Sequence, residues 1–152
     1  MKTIKLLKFV GMLSLLLILF YAMVTALIYR ETQKNMFLKS YFIEYAEMIG
    51  TWHLDSFRHI LTDDLIASLE HEDNSTLLTA LSDRLGKLEA CEEPNFVRAE
   101  VHFSTDARKV DTVIFSAQCH FEKGHAGLSI AFVEHEGEQY VHLFRLNSIT
   151  TT

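Results

Sequence analysis

The chain has 152 residues, of which 49% are hydrophobic and 22% charged; that is enough apolar material for one packed domain with an appendage, and too much for a mainly disordered chain. All 20 acidic residues lie beyond Arg30 but only 10 of the 14 basic ones do, so that part carries 10 minus 20, a net charge of −10. A domain so charged repels phosphate backbones, and with no basic stripe it excludes nucleic acid and disfavours anionic lipid surfaces as partners.

From Phe9 to Tyr29 runs FVGMLSLLLILFYAMVTALIY, 21 residues without a charge. As a helix it measures about 31 Å, close to the thickness of a bilayer's hydrocarbon core. The expectation is a membrane anchor over residues 1–30, spanning through 9–29, and an extracytoplasmic domain over 31–152. Lys2, Lys5 and Lys8 precede the apolar run, and Arg30, Lys34 and Lys39 follow it. Basic residues therefore leave the orientation nearly balanced, and the α-amino group favours an N-terminus in the cytoplasm. A cleavable signal sequence, cut near Val24-Thr25-Ala26, is the competing reading, although signal-sequence cores are usually about 7–15 residues long. The first 30 residues contain no cysteine, so the lipid-attached form that bacterial lipoproteins use is excluded.

The stretch KNMFLKSYFIEYAEMIGTW sets Leu38, Phe42, Tyr45 and Ile49 at helical spacing, with Phe37 and Tyr41 widening the stripe. One helix is expected from Glu31 or Lys34 to Ile49, stopped by Gly50 and able to continue the membrane helix. TWHLDSFRHIL and TDDLIASLE predict two short helices. Asp55 and Thr62 are placed to accept from the free amides at their starts, and Asp63 and Asp64 suit the positive end of the second. Leu77, Leu78, Leu81, Leu85 and Leu88 trace a further helix, from after Asn74-Ser75 to about Glu89. Pro94 closes the helical half.

Beyond Pro94 the period changes from helical to alternating. Val97, Ala99, Val101 and Phe103 form the apolar row of one strand, Val113 to Phe121 of a second, and Ala126 to Phe132 of a third; a fourth runs from about Gln139 to Ser148. The connections STDARK, EKG and EHEGE are short, so an antiparallel meander is the economical topology, with Gly124 at positive φ in a three-residue turn. Helices first and four strands afterwards describe an α+β domain with helices on one face of a curved sheet. Cys91 and Cys119 are able to form one disulfide, which in an oxidising compartment stabilises by about 3–4 kcal/mol on the chain-entropy model, or to stand as two buried thiols.

Four helical segments before four strands, the pattern W…F…LTDDL, and the closing FEKGHAGLSIAFVEHEGEQYVHLFRLNS together resemble the nuclear-transport-factor-2-like (cystatin-like) superfamily. The likeness covers roughly Met36 to Ile149 and is nearest to small anchored or secreted bacterial members. Phe121-Glu122-Lys123-Gly124 opens the penultimate strand as in those proteins; Glu136-Gly137-Glu138-Gln139-Tyr140 stands at the last turn, with Tyr140 where tryptophan is commoner, and Asn147-Ser148 near the end. The resemblance implies a cone of three to four helices on a four-stranded sheet, whose mouth holds a small apolar ligand.

Enzymes of that superfamily, such as the ketosteroid-isomerase-like group, place an aspartate inside the cone as general base. Here the strand interiors supply no such acid: Asp106 and Asp111 flank a hairpin tip, and Glu100 alternates onto the face opposite Val101. No catalytic residue is assigned. Tyr41, Tyr45 and His59, with His53, are placed to line a pocket, though aromatics at helical spacing are most often core; Trp52 and Arg145 complete the candidate ligand set. Eight histidines show no HxH, HxxxH or HExxH spacing, so neither a metal nor a cofactor is expected. The row Thr112, Ile114, Ser116, Gln118 and His120 forms an outer sheet face that either is solvated or meets a second copy. The resulting expectation is a single-pass inner-membrane protein with its C-terminal domain in the periplasm, acting as a non-catalytic binding or assembly module. The alternatives are an enzyme on a small apolar substrate and an accessory subunit of a membrane complex whose contact is the anchor, through Gly11 and Ser14.

Overall fold

No proline precedes Pro94, and in the computed structural model, which describes residues 2–103 and 109–152, one helix, α1, spans Lys2–Ile49. The chain divides into two units, Met1–Phe37 and Leu38–Thr152. In the first, Gly11–Arg30 is long and apolar enough to cross a membrane.

The second unit begins with the end of α1, where Leu38, Phe42, Tyr45, Ala46 and Ile49 are buried at helical spacing. Tyr41 is half-buried at the margin of this stripe and Phe37 is exposed. Gly50 ends the helix, and a Cβ there would overlap the Leu88 side chain. A short helix α2 (Leu54–Phe57) and a 3-10 turn (Arg58–Ile60) follow. Asp55, expected as a cap, lies inside the first turn of α2; the position before that helix is His53, which makes no side-chain cap bond. Thr62 does precede α3 (Asp63–Glu70), but its hydroxyl is buried without a hydrogen-bond partner and caps nothing.

The helix α4 spans Glu72–Leu85 and so ends earlier than the leucine spacing predicts. Gly86, at φ +70, terminates it, and its carbonyl accepts from the Trp52 indole at 2.6 Å. Leu88 then belongs to a strand, β1 (Leu88–Cys91), whose first amide donates to the Gly50 carbonyl. The helical reading of Leu88 failed because leucine spacing carries no record of the left-handed residue that breaks the period.

Four longer strands follow: β2 (Asn95–Phe103), β3 (Lys109–Phe121), β4 (Gly124–His135) and β5 (Glu138–Thr151). All strand pairings are antiparallel. The sheet therefore has five strands, with β1 and β2 paired in succession along the same side of β3, and β4 and β5 on the other. The expected meander is present from β2 onward; the connection between β2 and β3, and Asp106 with it, lies outside the described residues. Val97 and Val101, expected in the core, are 51% and 52% exposed, because β2 is paired on one side only and shifts register between Phe96 and Arg98. On the inner face Phe115, Ala117, Cys119 and Phe121 of β3 meet Ala126, Leu128, Ile130 and Phe132 of β4. Phe115 packs edge-on to Phe96 and Phe132, and Phe57 from α2 reaches Phe144. Full burial of each such ring is worth roughly 1.5–3 kcal/mol.

The two turns differ in mechanism. Glu136 and Gly137 both have positive φ, at 52° and 84°, the backbone that matches a two-residue hairpin to strand twist. The other loop is Glu122-Lys123 alone: Gly124 is the first residue of β4 and does not have positive φ. Glycine is needed there for closeness, since a Cβ would overlap the Thr150 carbonyl of β5. The EKG cluster is spent on the end of α4. Lys123 donates from its backbone to Leu85 O and from Nζ to Asp83 O, while the Glu122 carboxylate accepts from Lys87 N.

Candidate functional site

Two elements converge on the start of β5. The Tyr45 hydroxyl donates to the Gln139 carbonyl at 2.8 Å, which ties α1 to the strand. Thr62 N donates to Val141 O at 3.0 Å and sets Leu61 beside Val141, which ties the 3-10 turn to the same strand. Between these two fastenings lies an opening of about 350 Å³. One helical face supplies Tyr41, Glu44, Tyr45 and Met48, the turn supplies His59 and Ile60, and the strand supplies Glu138, Gln139 and Tyr140.

The Tyr41 and Tyr45 rings stand edge to face, 5.4 Å apart at 81°, and Tyr45 backs onto Phe132. The Tyr45 phenol is pushed up to about 12 from its ordinary 10, first by burial and then by Tyr41, Glu44, Glu138 and Tyr140. Tyr140 donates to Glu138 Oε2 at 2.9 Å. Its own phenol is raised as well, by that hydrogen bond and by the charges of Glu138, Glu136 and Asp63.

Of the residues singled out from the sequence, the fold brings Tyr41, Tyr45 and His59 together at this opening. Trp52 does not line it. Its ring is buried and stacks on Phe121 at 5.7 Å, with its N–H held by Gly86, so its role here is to close the base of the core. Arg145 lies on the other face of the sheet, beside Arg98, Ile114, Ser129, Ala131, Leu143 and Asn147 around a smaller hollow of about 210 Å³. There Asn147 Nδ2 donates to Ser129 Oγ, which donates to Ser116 Oγ, and Arg98 pairs with Glu100. Glu44, Met48, Glu138 and Tyr140 were missed. Glu44 and Met48 follow Tyr41 at three and seven residues, the spacing of one helix face. Glu138 and Tyr140 lie in the stretch at the Gly137 turn that carries the family resemblance, and nothing in their spacing marks them as ligand-binding.

Cys91 and Cys119 are joined in a disulfide across directly paired positions of β1 and β3. His120 faces His125 across the hairpin with ring centres 6.2 Å apart, and among the described residues no three His, Cys, Asp or Glu side chains converge to hold a metal ion. No family model, curated protein or solved structure matches this chain.

Proposed function

We propose that the chain is a bacterial, membrane-anchored module of the nuclear-transport-factor-2-like type, passing once through the inner membrane with its C-terminal domain in the periplasm, and that it holds a ligand without transforming it. The observation that carries the reading is the contrast between interior and opening. Among the described residues the polar groups shut inside are those of Thr112 and Gln139, with the Thr62 hydroxyl, and none of them is the inward-facing carboxylate that ketosteroid-isomerase-like enzymes use as a base. Tyr45 is also buried, but its hydroxyl is engaged and its pKa lies far above neutrality. Tyrosine rings and hydrogen-bonding groups meet instead at the opening beside β5, the composition of a binding site. The disulfide supports an oxidising compartment, and the long apolar helix supports an anchor.

Two measurements test this. A reporter that is active only in the periplasm, fused after Thr152, is expected to be active; activity confined to a cytoplasmic reporter contradicts the location. Native mass spectrometry of the full chain in a maltoside detergent, exposed to a cell metabolite extract, is expected to retain a small molecule that Tyr140→Ala loses. Equal retention by the variant removes the opening as the site.

A further inference from the structure

The opening beside β5 sets two carboxylates and the imidazole of His59 among its aromatic rings. Glu44 and Glu138 line it, and among the described residues no lysine or arginine does. Glu136 and Asp63 act on Tyr140 from just outside with the same sign. The whole part of the chain beyond Arg30 adds a net charge of −10. An anion is therefore repelled, and a purely apolar ligand has to strip water from two carboxylates while giving nothing back to them. Tyrosine rings offer negative π faces, and carboxylates beside them add counter-charge; together they favour a cation with an apolar surface.

We propose that this opening binds a small organic cation bearing a substituted ammonium group, with Tyr41, Tyr45 and Tyr140 supplying aromatic surface and Glu44 and Glu138 supplying counter-charge. The proposal rests on the reading of the same opening as a ligand site and names the class of ligand. Tyr41 and Tyr45 both line the opening, their rings edge to face at nearly a right angle. Met48 adds a polarisable apolar wall. The hydrogen bond from Tyr140 to Glu138 fixes the third ring to one of the carboxylates, and the bond from Tyr45 to Gln139 O holds the second ring in place.

The test compares choline with 3,3-dimethyl-1-butanol, its neutral isostere, by saturation-transfer NMR on the full chain in a maltoside detergent, which carries no ammonium group. Choline is expected to bind about tenfold tighter than the isostere, a ratio within the range of partly desolvated cation–π contacts. Glu138→Gln is expected to weaken choline roughly threefold to tenfold, and Tyr140→Ala by a similar factor, with the isostere little affected by Glu138→Gln. Both substitutions lie at exposed or half-exposed positions, so the fold is expected to survive them. Binding of choline and isostere with equal strength overturns the cationic reading and leaves a ligand pocket; binding of neither overturns the cationic reading and the pocket alike. Repeating the measurement in nanodiscs separates sources of the cation. Choline binding competed away in phosphatidylcholine but not in phosphatidylglycerol supports the proposal with a lipid headgroup as ligand, and equal binding in both supports it with a soluble one.

Discussion

At position 124 the backbone of β4 passes so close to Thr150 that a Cβ would overlap its carbonyl oxygen. Gly137 is the opposite case, with open space around it but φ at +84°. Gly124→Ala therefore has to push two paired strands apart and is expected to cost roughly 2–3 kcal/mol. Gly137→Ala meets only left-handed backbone strain and is expected to cost about 1 kcal/mol. Denaturant melts of both variants check the order, and a smaller loss at 124 than at 137 contradicts the close approach. The sequence marks both residues as turn glycines and cannot tell them apart, because the neighbour that makes 124 special is 26 positions away. Tyr45 carries a pH signature. Its phenol holds its proton more tightly when folded, at about 12 against about 10 unfolded, so its contribution is complete below pH 10 and is lost as the pH rises through 12. Tyr45→Phe is expected to cost about 1 kcal/mol at neutral pH for the lost hydrogen bond. It is also expected to flatten the fall in stability between pH 10 and 12, measured by chemical unfolding at pH values across that window. An unchanged alkaline slope contradicts a buried, engaged hydroxyl.

Among elements, β1 is the one the sequence concealed, and the disulfide was concealed with it. Leu85 and Leu88 fall at helical spacing, and only the positive φ of Gly86 turns the second of them into a strand residue. Once Leu88–Cys91 is a strand on the β3 side, Cys91 stands opposite Cys119, and a pairing that spacing alone left open becomes a direct cross-strand contact. The longer strands were legible because alternation survives in β3 and β4, which are paired on both sides; β2, paired on one side, misled where it promised buried valines. A strand of four residues at a sheet edge has few hydrogen bonds of its own, among them one just past its end from Glu92 N to Gln118 O. Cys91→Ala with Cys119→Ala is expected to lower stability by about 3–4 kcal/mol, the loop-closure value for a separation of 28 residues. Amide exchange is expected to quicken most over residues 88–92 and least in β4. Melting with and without reductant, and exchange read by mass spectrometry, check both. A reduced wild type that melts with the oxidised one denies the crosslink any part in holding β1.

At the scale of the whole molecule the composition was informative where it was extreme. A charge-free run of 21 residues reads as a spanning helix because the length a bilayer demands leaves few other structures of that composition. The opening beside β5 was only half legible: a helical face announces Tyr41 and Tyr45, but its partners arrive from a turn and a strand whose placement depends on two backbone fastenings. Orientation in the membrane is the property the sequence balances most finely, with Lys2, Lys5 and Lys8 on one side and Arg30, Lys34 and Lys39 on the other. That balance makes the proposed topology sensitive to small changes of charge. Lys5→Glu with Lys8→Glu leaves one lysine before the apolar run against three basic residues after it, and the retention of basic flanks in the cytoplasm then favours the reverse insertion. In the variant the fused periplasmic reporter is expected to lose most of its activity. Cys91 and Cys119 are expected to react with maleimide without prior reduction, since a cytoplasmic location keeps thiols reduced. Both readouts should move together. Cysteines that stay crosslinked while the reporter falls silent would separate the disulfide from the compartment, and an unchanged reporter would show that something other than flanking charge sets the direction in which the helix is threaded.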